Sequence, residues 1–351
     1  MKIGKIDVGP SNPPFFIAEA GVNHNGNLDT AKELIDVAAK AGADAVKFQT
    51  FSADRLVTPD ASKSEYQTKK TGEGSQYEML KRYELDRESH ENLFEYSEKR
   101  DLMFLSTPFD RESADMLNRL GVNAIKLGSG ELNNFPLIKH VAKFGIPLIV
   151  STGMGTLEEV IEANEAIQSV NSNNEIVFLH CTSAYPCSID DVHLRAMQTI
   201  QEELGSLVGY SDHTILPETP ALAVAAGACV LEKHFTLDST MPGPDHESSL
   251  EPNELEQTIE LVEVAYRLLG TSEKEPTSVE LKNLETTRKS LHAAVDIQKG
   301  TRIEAEHVDI IRPSEGLPPS QYDNVLGSIT KRPLRRGEPI IASDIEDTQH
   351  M

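Results

Sequence analysis

The chain has 351 residues, a length that suits about two domains or one α/β barrel with a small extra domain. Hydrophobic residues make up 38% of it and charged residues 25%, a balance that excludes collagen-like and broadly disordered proteins. The formal net charge of −23 disfavours nucleic acid as a partner, so a local group of cations would indicate a small anionic ligand.

Neither export nor membrane insertion is indicated. The longest apolar run, residues 221–231, is too short for a membrane helix, which needs about 20 residues, and the first residues lack a secretory signal pattern. Cys181, Cys187 and Cys229 do not have the spacing of a zinc knuckle or of a dense disulfide framework. We therefore expect a soluble protein of the reducing cytoplasm.

From residue 15 to about 269 one pattern repeats: a short apolar run, a polar turn and a stretch with helical periodicity. Eight such units in succession predict a closed parallel (β/α)8 barrel, the TIM barrel, because closure removes the free sheet edges. The predicted strands are 15–20, 43–48, 102–106, 124–127, 147–150, 176–179, 207–210 and 229–231. The predicted helices are 30–41, 87–100, 111–120, 135–144, 156–170, 190–204, 217–226 and 253–268. Capping signals include Asp29-Thr30 and Thr156 followed by Glu159.

Two segments depart from this rhythm. Residues 52–86 are polar and predict a long loop, either an active-site lid or a mobile segment. Residues 271–287 predict a linker, and the short β-like runs beyond them predict a small, mostly β domain. The predicted domains are thus a barrel over 1–270, the linker 271–287 and a β domain over 288–351.

Two lysines lie within apolar strands near the rim where the strands of a TIM barrel end and catalytic residues collect. A single lysine of this kind usually snorkels or forms a salt bridge, but Lys47 and Lys126 together point to an anion. The hydroxyls of Thr107, Ser129 and Ser151 follow neighbouring strands and could complete a phosphate or carboxylate site. The sequence therefore predicts an anionic small substrate.

His213 and His234 close two consecutive strands. Taken singly, each would more often be a core or surface histidine. As a pair on adjacent strands, with Glu19 and Asp245 within reach of the rim, they predict a divalent metal with open positions for substrate and water.

Glu19 and Glu131 are the best acid–base candidates, since a carboxyl group beside lysines at a crowded rim can be tuned toward proton transfer. The simpler alternative is that each only holds a lysine in place. Cys181 has no neighbouring base in its strand, so it is predicted to be a small core residue.

Several of these motifs, in this order, closely resemble the sialic acid synthase family, also called nonulosonic acid synthases. The resemblance covers nearly the whole chain, and the C-terminal module is similar to that family's antifreeze-like (β-clip) domain. The motifs are Ala18-Glu19, Val46-Lys47-Phe48-Gln49, Ser106-Thr107-Pro108-Phe109-Asp110, Lys126-Leu127-Gly128-Ser129-Gly130-Glu131, Leu179-His180-Cys181-Thr182, Ser211-Asp212-His213-Thr214, Glu232-Lys233-His234-Phe235-Thr236 and Pro242-Gly243-Pro244-Asp245-His246.

The resemblance implies an enzyme that condenses phosphoenolpyruvate with an open-chain N-acyl hexosamine and releases phosphate. It implies Mn²⁺ or Mg²⁺ as the metal, and a domain-swapped homodimer in which an arginine of the small domain reaches the partner's sugar site. Arg312 matches that arginine best, with Arg288 second. Substrate contacts are implied for Gln49, Thr107, Ser129, Ser151, Ser183, Tyr185, Ser211, Asp245 and Arg312.

The sugar is suggested by two departures from the bacterial N-acetylneuraminate synthases, which usually have Asn where this chain has Ser183 and lack the histidine at His246. Tyr210-Ser211-Asp212-His213 and Pro244-Asp245-His246, followed by Ser249-Leu250-Glu251-Pro252, look more like legionaminate synthases, which favours 2,4-diacetamido-2,4,6-trideoxymannose as substrate. N-acetylmannosamine is the alternative. Two other classes stay open: a metal-dependent sugar isomerase or aldolase, and a non-catalytic carbohydrate-binding protein.

Overall fold

The computed structural model describes residues 1–346, apart from the side chains of residues 65, 66 and 69. Contacts divide the chain into two compact units, Met1–Gly270 and Thr271–Met351. Residues 347–351 of the predicted β domain lie outside the described part. No helix within 1–346 is both long enough and apolar enough to cross a bilayer.

The first unit is a barrel of eight parallel strands. The strands are β1 (Phe15–Gly21), β2 (Ala45–Thr50), β3 (Met103–Pro108), β4 (Ile125–Leu127), β5 (Leu148–Ser151), β6 (Ile176–His180), β7 (Leu207–Asp212) and β8 (Val230–His234). Hydrogen bonds connect them in the order β3-β2-β1-β8-β7-β6-β5-β4, and β3 and β4, at the two ends of this order, lie side by side. The predicted TIM-like barrel is confirmed, with each strand within two or three residues of its predicted bounds.

Alternate residues of each strand face the barrel interior, because side chains in a strand change face at every step. In β1 the interior residues are Phe15 and Ile17, which pack in the apolar core of the barrel, and then Glu19. β8 shows the same change along its interior face, where the apolar Val230 is followed by the acidic Glu232. The interior therefore changes from apolar to polar toward the carboxyl ends of the strands, which is where the cavity lies.

Helices cover the outside of the barrel, and their apolar faces form a second core layer against the strands. The first begins at an Asn27 cap, whose side chain accepts from the N–H groups of Asp29 and Thr30, so the cap lies earlier than Asp29. The predicted Thr156 and Glu159 capping box is present. The covering helices are Leu28–Ala41, Arg87–Glu98, Arg111–Leu120, Phe135–Val141, Leu157–Gln168, Ala196–Leu204, Thr219–Ala225 and Pro252–Leu269.

Residues 52–86 differ from the predicted loop, because they contain the helices Ala53–Leu56, Glu65–Thr71 and Gln76–Tyr83. The last of these has a capping box between Ser75 and Glu78, and it buries Met79. Local capping together with one buried apolar side chain explains why a polar segment is helical here.

The second unit contains a helix, Ser278–Thr287, followed by two short antiparallel pairs. Ser290–Ala293 pairs with Val308–Ile311, and Ile329–Thr330 pairs with Ile345–Glu346. Their apolar side chains form a small core of their own. The helix occupies most of the predicted linker.

Candidate active site

A cavity of about 520 Å³ opens at the carboxyl ends of the barrel strands. It contains all but two of the site residues predicted from the sequence. Those that line it are Glu19, Lys47, Gln49, Thr107, Lys126, Ser129, Ser151, Ser183, Tyr185, Ser211, His213, His234 and Asp245.

Lys47 lies inside the cavity wall and contacts two carboxylates. Its Nζ is 2.8 Å from Glu19 Oε2 and 3.7 Å from Glu232 Oε2, and it donates to Thr107 Oγ1 at 2.8 Å. Burial disfavours the ammonium charge, but Glu19 and Glu232 outweigh it and raise the pKa of Lys47. Lys47 therefore stays a cation although its side chain is buried.

Lys126 lies across the same cavity. Its Nζ donates to Ser151 Oγ at 2.6 Å and to the Leu127 carbonyl at 3.1 Å, and it lies 3.7 Å from Glu232 Oε1. Burial lowers the pKa of Lys126, only partly offset by the attraction of Glu232. A second anion within reach would stabilise its charged form, which is the behaviour of a ligand-binding lysine.

Glu232 lies between the two lysines and was not predicted as a site residue. Burial opposes its charge, but Lys126 and Lys47 lower its pKa to about 2, and Ser211 Oγ donates to it at 2.8 Å. It is thus a fixed negative charge. The sequence did contain one signal for this residue. Glu232 and His234 are two residues apart in one strand, so their side chains lie on the same face and point into the same site.

Glu19 differs from Glu232 although both touch Lys47. Burial raises the pKa of Glu19 to about 7, with Lys47 opposing the rise and Glu232 adding to it. A group that titrates near neutrality inside a cavity is suited to proton transfer.

Three polar groups converge where Gly21 has no side chain. A methyl group there would lie 3.4 Å from Glu19 Oε1, 3.6 Å from Gln49 Nε2 and 3.7 Å from Asp245 Oδ2, and φ of Gly21 is 54°. Burial raises the pKa of Asp245 to about 6. Two carboxyl groups and an amide thus face one end of the cavity, an arrangement suited to hydroxyl groups of a ligand.

His213 and His234 lie side by side, with ring centroids 5.6 Å apart. His213 Nδ1 donates to the Thr182 carbonyl at 2.7 Å, which leaves the lone pair on its Nε2. His234 Nδ1 is buried without a hydrogen-bond partner. Burial lowers the pKa of both rings, and His213 lowers that of His234 further.

These two neutral imidazoles fit a divalent ion, since an orphaned buried nitrogen and an oriented second ring are what a metal requires. Among the described residues no group of three or more histidine, cysteine or acidic side chains could surround an ion. The protein would therefore supply two ligands and leave the other positions to water and substrate.

A cluster of small polar groups forms another part of the wall. Ser129 Oγ accepts from the Gly153 N–H at 3.0 Å and lies 3.1 Å from Cys181 Sγ. A side chain at Gly153 would clash with Ser129 and Ser183. Cys181 is buried, as predicted for a core residue, but it also lines the cavity.

Two predicted residues lie elsewhere. The Glu131 carboxylate accepts from Asn134 Nδ2 at 2.6 Å and does not line the cavity. Arg312 is an exposed residue of the second unit. Residues 52–86, predicted as an active-site lid or a mobile segment, contribute a wall of the cavity, although none of their residues was predicted individually. Gln67 comes from one helix of this segment, and Gln76, Met79, Leu80 and Tyr83 come from the next and have the spacing of one helical face.

The fold and the cavity define a TIM-like barrel whose strand ends surround a pocket with two buried lysines. Residues 34–274 match the NeuB family, and residues 288–346 match the SAF domain. The chain therefore belongs to the NeuB family, and the sequence resemblance to sialic-type acid synthases is confirmed.

Relatives cover almost all of the chain. It is 45% identical to the N,N'-diacetyllegionaminic acid synthase of Legionella pneumophila over 96% of both chains. It is 43% identical to the enzyme of the same name from Campylobacter jejuni, over 93% of this chain and 98% of that one. A crystal structure of an N-acetylneuraminic acid synthetase from Leptospira borgpetersenii, in complex with citrate, has a TM-score of 0.72 and 35% identity, covering 81% of this chain and 95% of that chain.

Proposed function

We propose that this protein condenses phosphoenolpyruvate with 2,4-diacetamido-2,4,6-trideoxymannose to give N,N'-diacetyllegionaminate and phosphate. The observation that carries the anionic substrate is the pair of buried lysines, Lys47 and Lys126, with one firmly ionised carboxylate between them. Around the two lysines, the ionised Glu232 cancels one positive charge and Glu19, whose pKa is about 7, offsets only part of the other, which leaves a small positive excess there. In a chain of net charge −23 that excess is local and specific.

Phosphoenolpyruvate would lie between the lysines and the hydroxyls. Lys47 and Lys126 would neutralise its phosphate and carboxylate, while the Thr107 and Ser151 hydroxyls accept hydrogen bonds from the two ammonium groups and keep their own protons for the ligand. Ser129, Ser183 and Ser211 line the same region and would complete the hydrogen bonds. This arrangement would hold the enol carbon toward the histidines, and orientation of this kind can supply much of a rate enhancement.

A divalent ion, Mn²⁺ or Mg²⁺, would be held by His213 and His234 and would supply Lewis-acid polarisation of the sugar's aldehyde oxygen. The Tyr185 ring contacts both imidazoles, tilted against His213 at a centroid distance of 4.2 Å and edge-on to His234 at 5.7 Å, and it would limit where the sugar can enter.

The chemistry needs one proton donor and one proton acceptor. The enol carbon forms a bond to the aldehyde carbon, the aldehyde oxygen takes a proton, and water adds to the cation left at the second carbon. The added water loses one proton to the acceptor and becomes a hydroxyl group on the second carbon. When the C–O bond to phosphate breaks, this hydroxyl loses its remaining proton to the departing phosphate, which gives the α-keto acid and inorganic phosphate. Glu19, with a pKa near 7, would give or take the proton at the sugar oxygen.

The sugar would lie under residues 52–86, with Gln49, Tyr185 and Asp245 contacting its hydroxyl groups. Met79 and Leu80 add apolar surface to that side of the cavity, which suits a 6-deoxy sugar with two acetamido methyl groups. An asparagine in place of Ser183 would add a hydrogen-bond donor and reduce the space for the sugar. The names of the two relatives at 45% and 43% identity support the same sugar.

We also propose the wider organisation that the sequence suggested. The catalytic domain would be 1–270, joined through 271–287 to an antifreeze-like domain over 288–351. In a domain-swapped homodimer of the cytoplasm, Arg312 of one protomer would complete the partner's sugar site. Glu131 would act through the loop that carries Ser129 rather than at the substrate.

Phosphate release with phosphoenolpyruvate and a panel of N-acyl sugars tests the proposal. We expect turnover with 2,4-diacetamido-2,4,6-trideoxymannose well above that with N-acetylmannosamine, and none without phosphoenolpyruvate. Preference for N-acetylmannosamine would instead identify an N-acetylneuraminate synthase. Sugar conversion without phosphoenolpyruvate would indicate an isomerase or aldolase, and sugar binding without turnover would indicate a carbohydrate-binding protein.

A further inference from the structure

The loop after β8, residues 241–249, is tied to the turn after β1, and the reaction described above does not use the ties. The turn carries the motif Asn23-His24-Asn25-Gly26, and the loop carries Asp245 and His246. Of these, Asp245 lines the cavity whereas His246 does not.

His246 connects the two segments through a buried imidazole. Its Nδ1 lies 2.6 Å from Thr236 Oγ1, and its Nε2 lies 3.2 Å from Asn25 Oδ1. Burial lowers the pKa of His246 to about 4, so the ring is neutral at pH 7. A neutral ring satisfies both contacts with its single proton on Nε2, which donates to Asn25, while Nδ1 accepts from Thr236.

A second connection runs beside the first. Asn23 Nδ2 donates to Ser249 Oγ at 3.0 Å and to the Phe235 carbonyl at 2.8 Å, and Ser249 Oγ donates to the Asp245 carbonyl at 2.7 Å. Asp245 is thus bracketed by a backbone contact on one side and by the anchored ring of His246 on the other.

The loop also packs closely against these anchoring residues. A side chain at Gly243 would lie 2.6 Å from His246 Cδ2 and 3.0 Å from Asn25 Oδ1. With the loop in this place, the Asp245 carboxyl faces the same point beside Gly21 as Glu19 and Gln49.

We propose that His246 is a positioning residue, which holds the Asp245 carboxyl in the sugar end of the cavity by anchoring the loop to Asn25 and Thr236. The effect of His246 on turnover rests on the proposed function, whereas its anchoring of the loop does not. The histidine itself touches neither substrate nor metal. Its loss would release the loop, and sugar binding would weaken while phosphoenolpyruvate binding would not.

A double-mutant cycle of His246→Ala and Asp245→Ala tests this in the full-length protein. His246→Ala alone should raise KM for the sugar about fivefold to tenfold, the scale of one or two buried hydrogen bonds, and change KM for phosphoenolpyruvate by less than about twofold. In the Asp245→Ala background the same substitution should add almost nothing. The proposal would be overturned if His246→Ala raised KM for the sugar by the same factor with and without Asp245→Ala. It would also be overturned if His246→Ala changed KM for the sugar and KM for phosphoenolpyruvate equally.

His140→Ala is the control. His140 Nε2 contacts Asp115 Oδ1 at 2.8 Å between two covering helices, and His140 neither lines the cavity nor contacts the loop. We expect it to lower the melting temperature without changing the ratio of the two KM values. If His246→Ala folds poorly, His246→Asn replaces it in the cycle with the same expectation.

Amide hydrogen exchange provides a readout that does not need turnover. Exchange over 241–249 should be faster in His246→Ala than in the wild type and unchanged at the other strand ends. Unchanged protection of this loop would overturn the anchoring role. A wild type that releases no phosphate with any sugar would overturn the proposed function instead, and the exchange result would still decide whether His246 anchors the loop.

Discussion

The ammonium nitrogen of Lys47 lies 2.8 Å from Glu19 Oε2, yet the pKa of Glu19 is raised to about 7. Burial is the main reason, and the ionised Glu232 carboxylate, which shares Lys47 with Glu19, adds to the rise. The attraction of Lys47 does not offset these two effects, so Glu19 is the carboxyl group that can take up a proton near neutrality.

This predicts a pH dependence that Glu19 controls. The kcat/KM of the wild type should change with an apparent pKa near 7, the value for the free enzyme, and Glu19→Gln should lower activity and remove that limb. Rate measurements from pH 5 to 9 check it. A limb that persists in Glu19→Gln belongs to another group.

The same shift predicts an effect on folding. A raised carboxyl pKa means that the folded state binds the proton more tightly, so the contribution to stability is full below about pH 4.5 and is lost as the pH rises through about 7. Relative to Glu19→Gln, the wild type should therefore lose stability across this window. Denaturant unfolding of both proteins at pH 5 and pH 8 gives their free energies of unfolding. The prediction is contradicted if the difference between wild type and Glu19→Gln is the same at both pH values.

Lys126→Met should weaken phosphoenolpyruvate binding. The substitution keeps an apolar stem but removes a buried charge, and truncating one member of a buried charge pair costs about 2–5 kcal/mol, so KM for phosphoenolpyruvate should rise by about 30-fold or more. KM for the sugar should change far less. Lys143→Met, at an exposed lysine of the same barrel, is the control and should behave as wild type. An unchanged KM for phosphoenolpyruvate would assign Lys126 to a structural salt bridge with Glu232.

His213→Ala and His234→Ala should each abolish turnover and Mn²⁺ binding while the melting temperature changes little, since both rings lie at the rim and not in the packed core. Calorimetric titration with Mn²⁺ separates loss of the ion from loss of fold. Turnover by the wild type that resists a chelator would contradict the metal site.

Arg312 can be tested by mixing inactive chains. Arg312→Ala and His213→Ala should each be inactive as homodimers, whereas after subunit exchange about a quarter of the sites would pair an intact barrel with an intact arginine. We expect about that fraction of wild-type turnover. Mixtures that stay inactive after confirmed exchange would place the action of Arg312 in its own chain or nowhere.

The strand pattern and the identity of the rim were available from the sequence, because both depend on local order. Apolar runs of three to six residues alternate with helical stretches, and the polar residues that end each run must meet in any closed parallel barrel. Lys47, Lys126, His213 and His234 were predicted on this ground, and the structure brings them together.

Two features depended on contacts between distant segments, and a third, the direction of the Glu131 side chain, depended on a local contact three residues along the chain. Glu232 is a strand residue like many others until it lies between two lysines on β2 and β4. The helical wall from residues 52–86 faces the cavity only because of how that segment packs, and Glu131 turns to Asn134 instead of the cavity although it follows a strand like the others.

The sequence by itself determined the barrel, its family resemblance and the types of residue at the rim, since periodicity and motif order are properties of neighbouring residues. Only the tertiary structure decided which carboxyl group is charged. Glu19 and Glu232 have the same side chain, and their pKa values are shifted in opposite directions from the ordinary value because burial acts on both while two lysines surround Glu232 and Glu19 must share one.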